Sequence, residues 1–316
     1  MCTAVTYKSE CHYFGRNLDL ERSYGERVVI TPRNFKFDFR CEPPAIDHYA
    51  MIGMATVVSG YPLYYEATNE KGLSMAGLNF PGNAHYAPYA EGKTNIAPFE
   101  FIPWVLASHA SVMEVRESLA SFNPVNINFS DGLPLSPLHW MISDREGSIV
   151  VECVRDGVRI YDAPLGVLTN NPTYDYHMTN VANYMSLHEG AAENRLASDT
   201  DLRNYSLGMG AIGLPGDYSS ASRFVRAAFV RSRSQYEPSE KRSVAQFFHI
   251  LDSVAMPMGC VVAADGQYEY TRYSCCCNTD KGIYYYRTYY DSAVSAVDMR
   301  MYNIEGKELI ESPVIS

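Results

Sequence analysis

The chain has 316 residues, with 26 Lys and Arg against 36 Asp and Glu, which gives a formal net charge of −10. Hydrophobic residues make up 47% and charged residues 20%, a balance that is typical of a folded globular protein rather than a disordered chain. Because a net negative charge does not suit phosphate backbones or anionic lipid surfaces, we expect no nucleic-acid partner and no stable membrane association.

The predicted elements begin with a block of strands, marked by segments rich in Tyr, Val, Ile and Thr and separated by Gly, Asn or Pro. These strands are Thr3–Lys8, Cys11–Asn17, Val28–Thr31, Tyr49–Val58, Leu63–Thr68 and Leu73–Leu78. Helical periodicity then predicts two helices, Glu100–Ser108 and Val112–Ser121, with Ser111 as the N-cap of the second helix.

The second half of the chain also contains predicted strands and helices. It contains predicted strands at Leu138–Asp144, Ser148–Arg155 and Val158–Tyr161, then helices at Tyr174–Ser186, Ser222–Ser232 and Val244–Ala255, and late strands at Cys260–Ala263, Tyr268–Cys277, Gly282–Thr288 and Val297–Asn303. Ser243 is the predicted N-cap of the last helix. Strands in blocks separated by pairs of helices favour antiparallel sheets covered by helices, an α+β fold.

No linker rich in Pro, Gly or Ser divides the chain, so we expect residues 1–316 to form a single domain. The polar stretch His188–Tyr205 is followed by a Gly-rich turn. We interpret it as a long loop that extends from this domain between two predicted helices. Loops of this length are usually functional or lie at interfaces. The glycines at 208, 210 and 213 match the dinucleotide pattern G-x-G-x-x-G, but no predicted strand precedes them. We therefore expect a tight loop there and no nucleotide site.

Eight cysteines, at positions 2, 11, 41, 153, 260, 275, 276 and 277, show neither a redox motif nor the spacing of a structural zinc site. The sequence shows no secretory signal, and its longest apolar runs are far shorter than the ~20 residues that span a bilayer. We therefore expect a cytoplasmic protein without a disulfide framework, in which most cysteines are small buried hydrophobes.

Cys2 differs from the other cysteines because it follows the initiator methionine. Removal of Met1 would leave a terminal residue that carries both a thiol and a free α-amine, a nucleophile and a base of matched strength. Position alone, however, favours an accidental cysteine over a nucleophile. The eight histidines show no spacing typical of metal ligands, so we expect no metal site, and none is singled out as a catalytic base.

Polar residues end three strand-like apolar segments just before a turn, where side chains can converge on a site. The three segments are 14–19 (Phe-Gly-Arg-Asn-Leu-Asp), 76–82 (Ala-Gly-Leu-Asn-Phe-Pro-Gly) and 167–172 (Val-Leu-Thr-Asn-Asn-Pro). Taken singly, each polar residue could simply form the turn.

Taken together, these motifs resemble those of the choloylglycine hydrolase family of N-terminal nucleophile hydrolases, which comprises bile salt hydrolases and penicillin V acylases. The resemblance rests on an ordered set of short motifs that spans essentially the whole chain: residues 1–3, 14–19, 61–65, 69–73, 77–82, 168–172, 214–217 and 219–224. It implies a four-layer αββα sandwich of two antiparallel sheets between helical layers.

The resemblance also implies a role for each polar residue of the motifs. Cys2 would be the nucleophile and its own α-amine the base, once Met1 is removed. Arg16 would favour the thiolate, Asp19 would orient the amine, Asn79 and Asn170 would donate to the oxyanion, and Arg223 would complete the charged lining. Asn171 competes with Asn170, and the Thr-Asn pair of the family favours Asn170. No metal or organic cofactor would be needed.

The implied substrate is a glycine- or taurine-conjugated bile salt, because the chain has Asn79 where the penicillin branch tends to carry Tyr. The sterol would contact an apolar wall made of Leu20, Tyr61, Leu63, Phe129, Leu133 and Leu135. Penicillin V acylase or a related N-acyl amidase is the alternative. By analogy with the family we also expect a homotetramer, with residues 188–217 as the assembly loop.

Overall fold

The computed structural model describes residues 1–236 and 238–313, and these residues form 16 strands and five α-helices. The strands are β1 (Cys2–Lys8), β2 (His12–Leu20), β3 (Arg27–Thr31), β4 (Met51–Val58), β5 (Tyr61–Asn69), β6 (Ser74–Asn79), β7 (Thr94–Ile96), β8 (Phe122–Pro124), β9 (Leu138–Ser143), β10 (Ser148–Val154), β11 (Gly157–Asp162), β12 (Val167–Leu168), β13 (Tyr270–Asn278), β14 (Ile283–Thr288), β15 (Ser295–Asp298) and β16 (Ile310–Pro313). The helices are α1 (Phe101–Ser108), α2 (Val112–Ser118), α3 (Tyr174–Val181), α4 (Ser220–Arg233) and α5 (Glu240–Asp252).

Two large antiparallel sheets form the centre of the structure. The first has six strands in the order β12-β1-β2-β13-β14-β15, and the second has eight in the order β11-β10-β9-β6-β5-β4-β3-β16. A short parallel pair, β7 and β8, lies apart from both sheets. Every large-sheet pairing joins antiparallel neighbours, in agreement with the expected class of sheet.

The alternation of side chains along each strand explains how the two sheets and the helices stack. In β3, Val28 and Ile30 belong to the same buried cluster as β1, β2 and helices α4 and α5, whereas Val29 packs with helix α1. The eight-stranded sheet therefore contacts the other sheet through one face and helix α1 through the opposite face. Helices α4 and α5 cover the far side of the six-stranded sheet, and the predicted αββα layering is confirmed.

Most predicted elements are confirmed, and the errors have local causes. Ser111 caps α2 as predicted, with its side chain accepting from the Glu114 N–H. The Ser243 prediction is wrong, because α5 begins at Glu240, four residues earlier than predicted, with Ser239 at its N-cap. The strand at 260–263 is also wrong, since that stretch contributes a single isolated bridge, between Val262 and Tyr268. Strands β7, β8 and β16 have three or four residues, too few to show an alternation pattern.

Residues 188–217 contain no α-helix or strand but one 3₁₀ turn, Met209–Ala211. Gly208, which precedes this turn, has φ +80°, a backbone conformation that favours glycine. A Cβ added at Gly210 would lie 2.6 Å from the carbonyl oxygen of Gly190, so the expected tight loop is confirmed. Among the described residues, no helix has the length and apolar character needed to cross a membrane.

Candidate active site

The first two strands bring the N-terminal motif and the Phe14–Asp19 motif together. In the antiparallel register of β1 and β2, Cys2 lies opposite Leu18. Alternation places Cys2, Arg16 and Leu18 on the face that points toward the second sheet, and Asp19 on the opposite face. Because β1 begins at Cys2, the first residues of the chain can contact side chains on either face of the sheet. The charged side chains of Arg16 and Asp19 therefore lie on opposite faces around the start of β1.

The main chain of Cys2 is held by hydrogen bonds on both sides. Its N–H donates to Oδ1 of Asn170 at 2.8 Å, and its carbonyl oxygen accepts from Nη1 of Arg223 at 2.5 Å. The same guanidinium donates to Oγ1 of Thr3 at 2.7 Å and to Oδ1 of Asn170 at 2.8 Å. Cys2 is 3% exposed and Arg223 is fully buried, so these contacts hold the candidate nucleophile in one place.

Asn170 connects three of the predicted motifs. It follows β12, and its Nδ2 donates to the main-chain oxygen of Asn79 at 2.7 Å. The neighbouring Asn171 instead donates to the main-chain oxygen of Pro81 at 2.7 Å. The structure therefore places Asn170, rather than Asn171, against Cys2.

Arg16 presents one free N–H edge to the site. Its Nη1 donates to the carbonyl oxygens of Tyr65 at 3.0 Å and Gly77 at 2.6 Å, while Nη2 is buried without a hydrogen-bond partner. Burial opposes the charged form, but the charges of Cys2 and Glu66, among others, outweigh it and raise the pKa of the guanidinium above its ordinary value. The side chain is therefore a permanent cation beside Cys2.

Glu66 supplies the buried negative charge behind Arg16. Its Oε2 lies 3.8 Å from Nε of Arg16, and its two oxygens accept from the hydroxyls of Tyr284 at 2.6 Å and Tyr273 at 2.8 Å. Burial raises the pKa of this carboxyl, and the guanidinium and the two hydroxyls oppose that rise. A buried carboxylate with these donors compensates the arginine charge between the two sheets.

Asp19 lies next to the N-terminus with one carboxylate oxygen still unpaired. Its Oδ1 accepts from the Thr271 hydroxyl at 2.6 Å, and its Oδ2 is buried without a partner. Burial raises the pKa of the carboxyl, and the terminal ammonium and Arg223 oppose that rise. The amino group of Met1 donates to the main-chain oxygen of Asp19 at 2.9 Å and forms an ion pair with Glu269.

A cavity of about 570 Å³ opens beside Cys2, a size common for small-molecule sites. Cys2, Arg16 and Asn79 are among its lining residues, together with the charged residues Glu21 and Arg22. Within the described residues, the side-chain amide of Asn79 makes no hydrogen bond. The remaining lining is largely apolar, and it includes five of the six predicted wall residues, Leu20, Leu63, Phe129, Leu133 and Leu135, as well as Leu18, Val58, Phe99, Ile102, Pro134 and Leu138.

Tyr61 is the predicted wall residue that does not line this cavity. Its ring packs edge-on against Phe99 at 5.9 Å and lies 5.8 Å from the ring of Phe129, between centroids. It therefore packs against two residues that line the cavity, without lining the cavity itself. A second cavity of about 610 Å³ lies beside the Arg33–Glu70 ion pair and contains none of the predicted site residues, so size alone does not identify the site.

The comparisons with known proteins agree with this geometry. The family model for linear amide C–N hydrolases of the choloylglycine hydrolase family matches residues 2–312. The chain belongs to this family. It is 52% identical over 316 residues to the bile salt hydrolase/transferase of Lactiplantibacillus plantarum, which covers all of this chain and 98% of the relative. It is 41% identical to the bile salt hydrolase/transferase of Clostridium perfringens, over 98% of this chain and 95% of the relative.

Solved structures give the same result for the fold. A crystal structure of a mutant conjugated bile acid hydrolase from Clostridium perfringens matches with a TM-score of 0.92 and 39% identity, over 100% of this chain and 97% of that chain. A penicillin V acylase from Agrobacterium tumefaciens matches with a TM-score of 0.78 and 20% identity, over 99% and 91%. At that identity the second likeness shows the fold alone. The protein is thus an amide hydrolase with the N-terminal nucleophile fold and a cysteine at position 2.

The sequence did not reveal the residues that hold the site residues in place without lining the cavity. Glu66 could have been recognised from the sequence, because a charged residue inside the buried strand β5 is unusual. Thr271, His139 and His177 gave no such signal. Thr271 and His139 contact partners 252 and 30 residues away, and no local pattern shows that His177 contacts Asn170, seven residues before it. Among the described residues, no group of three or more His, Cys, Asp or Glu side chains is arranged to hold a metal ion.

Proposed function

We propose that this protein hydrolyses the amide bond of glycine- or taurine-conjugated bile salts, releasing free bile acid and the amino acid, with Cys2 as the nucleophile. One observation carries the proposal: Cys2, Arg16 and Asn79 line a cavity whose other lining residues are mostly apolar. A sterol with an amide at the end of its side chain has this distribution of polar and apolar surface. The relatives described above are bile salt hydrolase/transferases and a conjugated bile acid hydrolase.

Removal of Met1 would convert the N–H of Cys2 into an α-amine beside its own thiol. That nitrogen already donates to Asn170, and the unpaired Oδ2 of Asp19 is a buried acceptor near the same end of the strand. An amine held by a carboxylate can take the thiol proton, while the Arg16 cation favours the resulting thiolate. The positions of these groups around Cys2 support the proposed roles.

The reaction would proceed in two steps. The thiolate attacks the amide carbonyl, a C–S bond forms, and the oxyanion accepts hydrogen bonds from the side-chain amides of Asn79 and Asn170. The C–N bond then breaks, and glycine or taurine leaves with the proton from the α-ammonium. In the second step, water gives a proton to the amine and attacks the thioester, the C–S bond breaks, and the free acid leaves.

The experiment that tests the proposal measures amino-acid release from three amides. Purified protein is incubated with taurocholate, glycocholate and penicillin V, and Cys2→Ser is the matched control because it keeps the shape of the side chain. We expect hydrolysis of at least one of the two bile salts and none by the variant. Hydrolysis of penicillin V alone would refute the assignment and favour a penicillin V acylase or a related N-acyl amidase.

We further propose a homotetramer that assembles through residues 188–217. What supports this is that five large apolar side chains on that segment are exposed: Leu196, Leu202, Tyr205, Leu207 and Ile212. Light scattering should give the mass of a tetramer for the wild type and a smaller mass for Leu207→Asp. Equal masses for the wild type and Leu207→Asp would contradict a role of this segment in the interface.

We also propose a cytoplasmic location. It is supported by the eight cysteines, all of which are free in the structure, including the surface residue Cys260. Fractionation of the source cells should recover the activity with cytoplasmic markers. Recovery of the activity from the culture medium would contradict this location.

A further inference from the structure

Two buried histidines contact consecutive carbonyl groups of the segment that carries Asn170. Nε2 of His139, on strand β9, lies 2.9 Å from the carbonyl oxygen of Thr169. Nε2 of His177, on helix α3, lies 2.8 Å from the carbonyl oxygen of Asn170. A carbonyl oxygen can only accept, so each Nε2 carries a hydrogen and donates it.

Aromatic stacking fixes the orientation of both imidazole rings. The ring of His139 stacks on Phe80, with centroids 4.2 Å apart and planes 8° apart, and its Nδ1 lies 3.1 Å from Oε1 of Glu152. The ring of His177 stacks on Phe224, with centroids 4.9 Å apart and planes 13° apart. Both histidines are fully buried. Burial lowers the pKa of His177 to about 4, so this ring is neutral near neutral pH.

The main chain of Asn170 is also held at its nitrogen. The N–H donates to Oγ of Ser220, at the start of helix α4, at 2.8 Å, and that hydroxyl donates to Oγ1 of Thr169 at 2.9 Å. Strand β9 and helices α3 and α4 thus hold two consecutive residues from three directions. The Asn170 side chain is left to bridge Cys2, Arg223 and Asn79.

We propose that His139 and His177 are positioning residues for Asn170, a role that rests on the proposed function. Neither ring lines the cavity beside Cys2, and each acts on the site through the carbonyl group to which it donates. Their N–H groups fix the carbonyl positions at 169 and 170, and thereby the distance and angle at which the Asn170 amide meets the oxyanion. A donor displaced by about 1 Å can cost a reaction about 100-fold in rate.

The test compares two replacements of His177. His177→Phe keeps a ring to stack on Phe224 but removes the N–H donor, whereas His177→Gln offers an amide N–H at a similar reach. We expect the Phe variant to lose about 10- to 100-fold in kcat with KM changed less than about twofold, because the His177 ring does not line the cavity that would bind the substrate. The Gln variant should recover most of the lost kcat.

The control is His109→Phe, since the His109 ring nitrogen Nδ1 also contacts a carbonyl oxygen, that of Val105, at 3.0 Å but outside the site. It should retain the wild-type kcat even if it lowers the unfolding temperature. If His177→Phe does not fold, Ser220→Ala removes the acceptor for the Asn170 N–H and should show the same loss in kcat at unchanged KM.

Two results would overturn the role of the histidines: a folded His177→Phe with kcat within about twofold of wild type, or a Gln variant no more active than the Phe variant. Where His177→Phe does not fold, a wild-type kcat for Ser220→Ala would also overturn it. Rates are measured on taurocholate, and on penicillin V if wild type does not hydrolyse taurocholate. A wild type inactive on both amides would refute the proposed function itself, and with it the role that rests on it.

Discussion

Replacing Thr271 by Val tests how the buried carboxylate of Asp19 is held, because Val has nearly the same shape as Thr but no hydroxyl. The hydroxyl donates to Oδ1 of Asp19 at 2.6 Å and accepts from the N–H of Met256 at 2.8 Å. Loss of a bond to a charged group costs ~1.5–3 kcal/mol, and a buried N–H left unpaired costs ~1–3 kcal/mol. We therefore expect Thr271→Val to lower the free energy of unfolding by about 2.5–6 kcal/mol.

The same change should affect turnover through the pKa of Asp19. The Thr271 hydrogen bond opposes the rise in this pKa that burial causes. Without that bond the pKa rises further, so the carboxylate becomes protonated at a higher pH and the acidic limb of the kcat profile moves upward.

Urea unfolding followed by circular dichroism, together with a pH profile of taurocholate hydrolysis, checks both expectations for Thr271→Val. Thr271→Ser keeps the hydroxyl and should stay close to wild type in both measurements. Unfolding within about 0.5 kcal/mol of wild type would refute the energetic reasoning. An unmoved acidic limb in a destabilised variant would refute the role of Asp19 in orienting the amine.

Three further predictions concern the oxyanion donor, the apolar wall and the buried histidine. Asn79→Ala should lower kcat by about 100- to 1000-fold in turnover assays with little change in unfolding temperature, since its amide makes no hydrogen bond within the described residues. Leu135→Asp should raise KM for taurocholate about tenfold or more, whereas Met113→Asp, on an exposed site of α2, should not. From pH 6.5 to pH 4 the unfolded chain binds a proton at His177 that the folded chain does not, because burial lowers the folded pKa to about 4. Stability should therefore fall over that range by up to ~3 kcal/mol, and this contribution should be absent from urea titrations of His177→Gln.

Local patterns predicted the strands and the polar motifs that end them. Segments rich in Tyr, Val, Ile and Thr indicated β1 and β2, and their pairing places Cys2 beside Arg16 and near Asp19. The resemblance of the ordered motifs to a known family then brought Asn170 into the same site. These predictions depended on short segments whose chemistry is visible in a few consecutive residues.

The support behind these residues could not be predicted, because it joins elements that are distant in sequence. His177 lies on a helix, and the sequence gives no sign that its ring stacks on Phe224 and donates to the carbonyl of Asn170. Thr271 pairs with Asp19 across 252 positions of the chain. Tyr61 belongs to an apolar motif near the site and shares a face of β5 with Leu63, yet its ring packs against Phe99 and Phe129 and does not line the cavity.

The mass of the intact protein, before and after rapid acid quenching of a reaction with taurocholate, tests the central claim most directly. We predict that the active protein lacks Met1 and that quenching traps a cholyl thioester on Cys2, absent from Cys2→Ser. Full activity in a protein that retains Met1 would contradict the role of the α-amine. An adduct on a residue other than Cys2 would contradict the nucleophile itself.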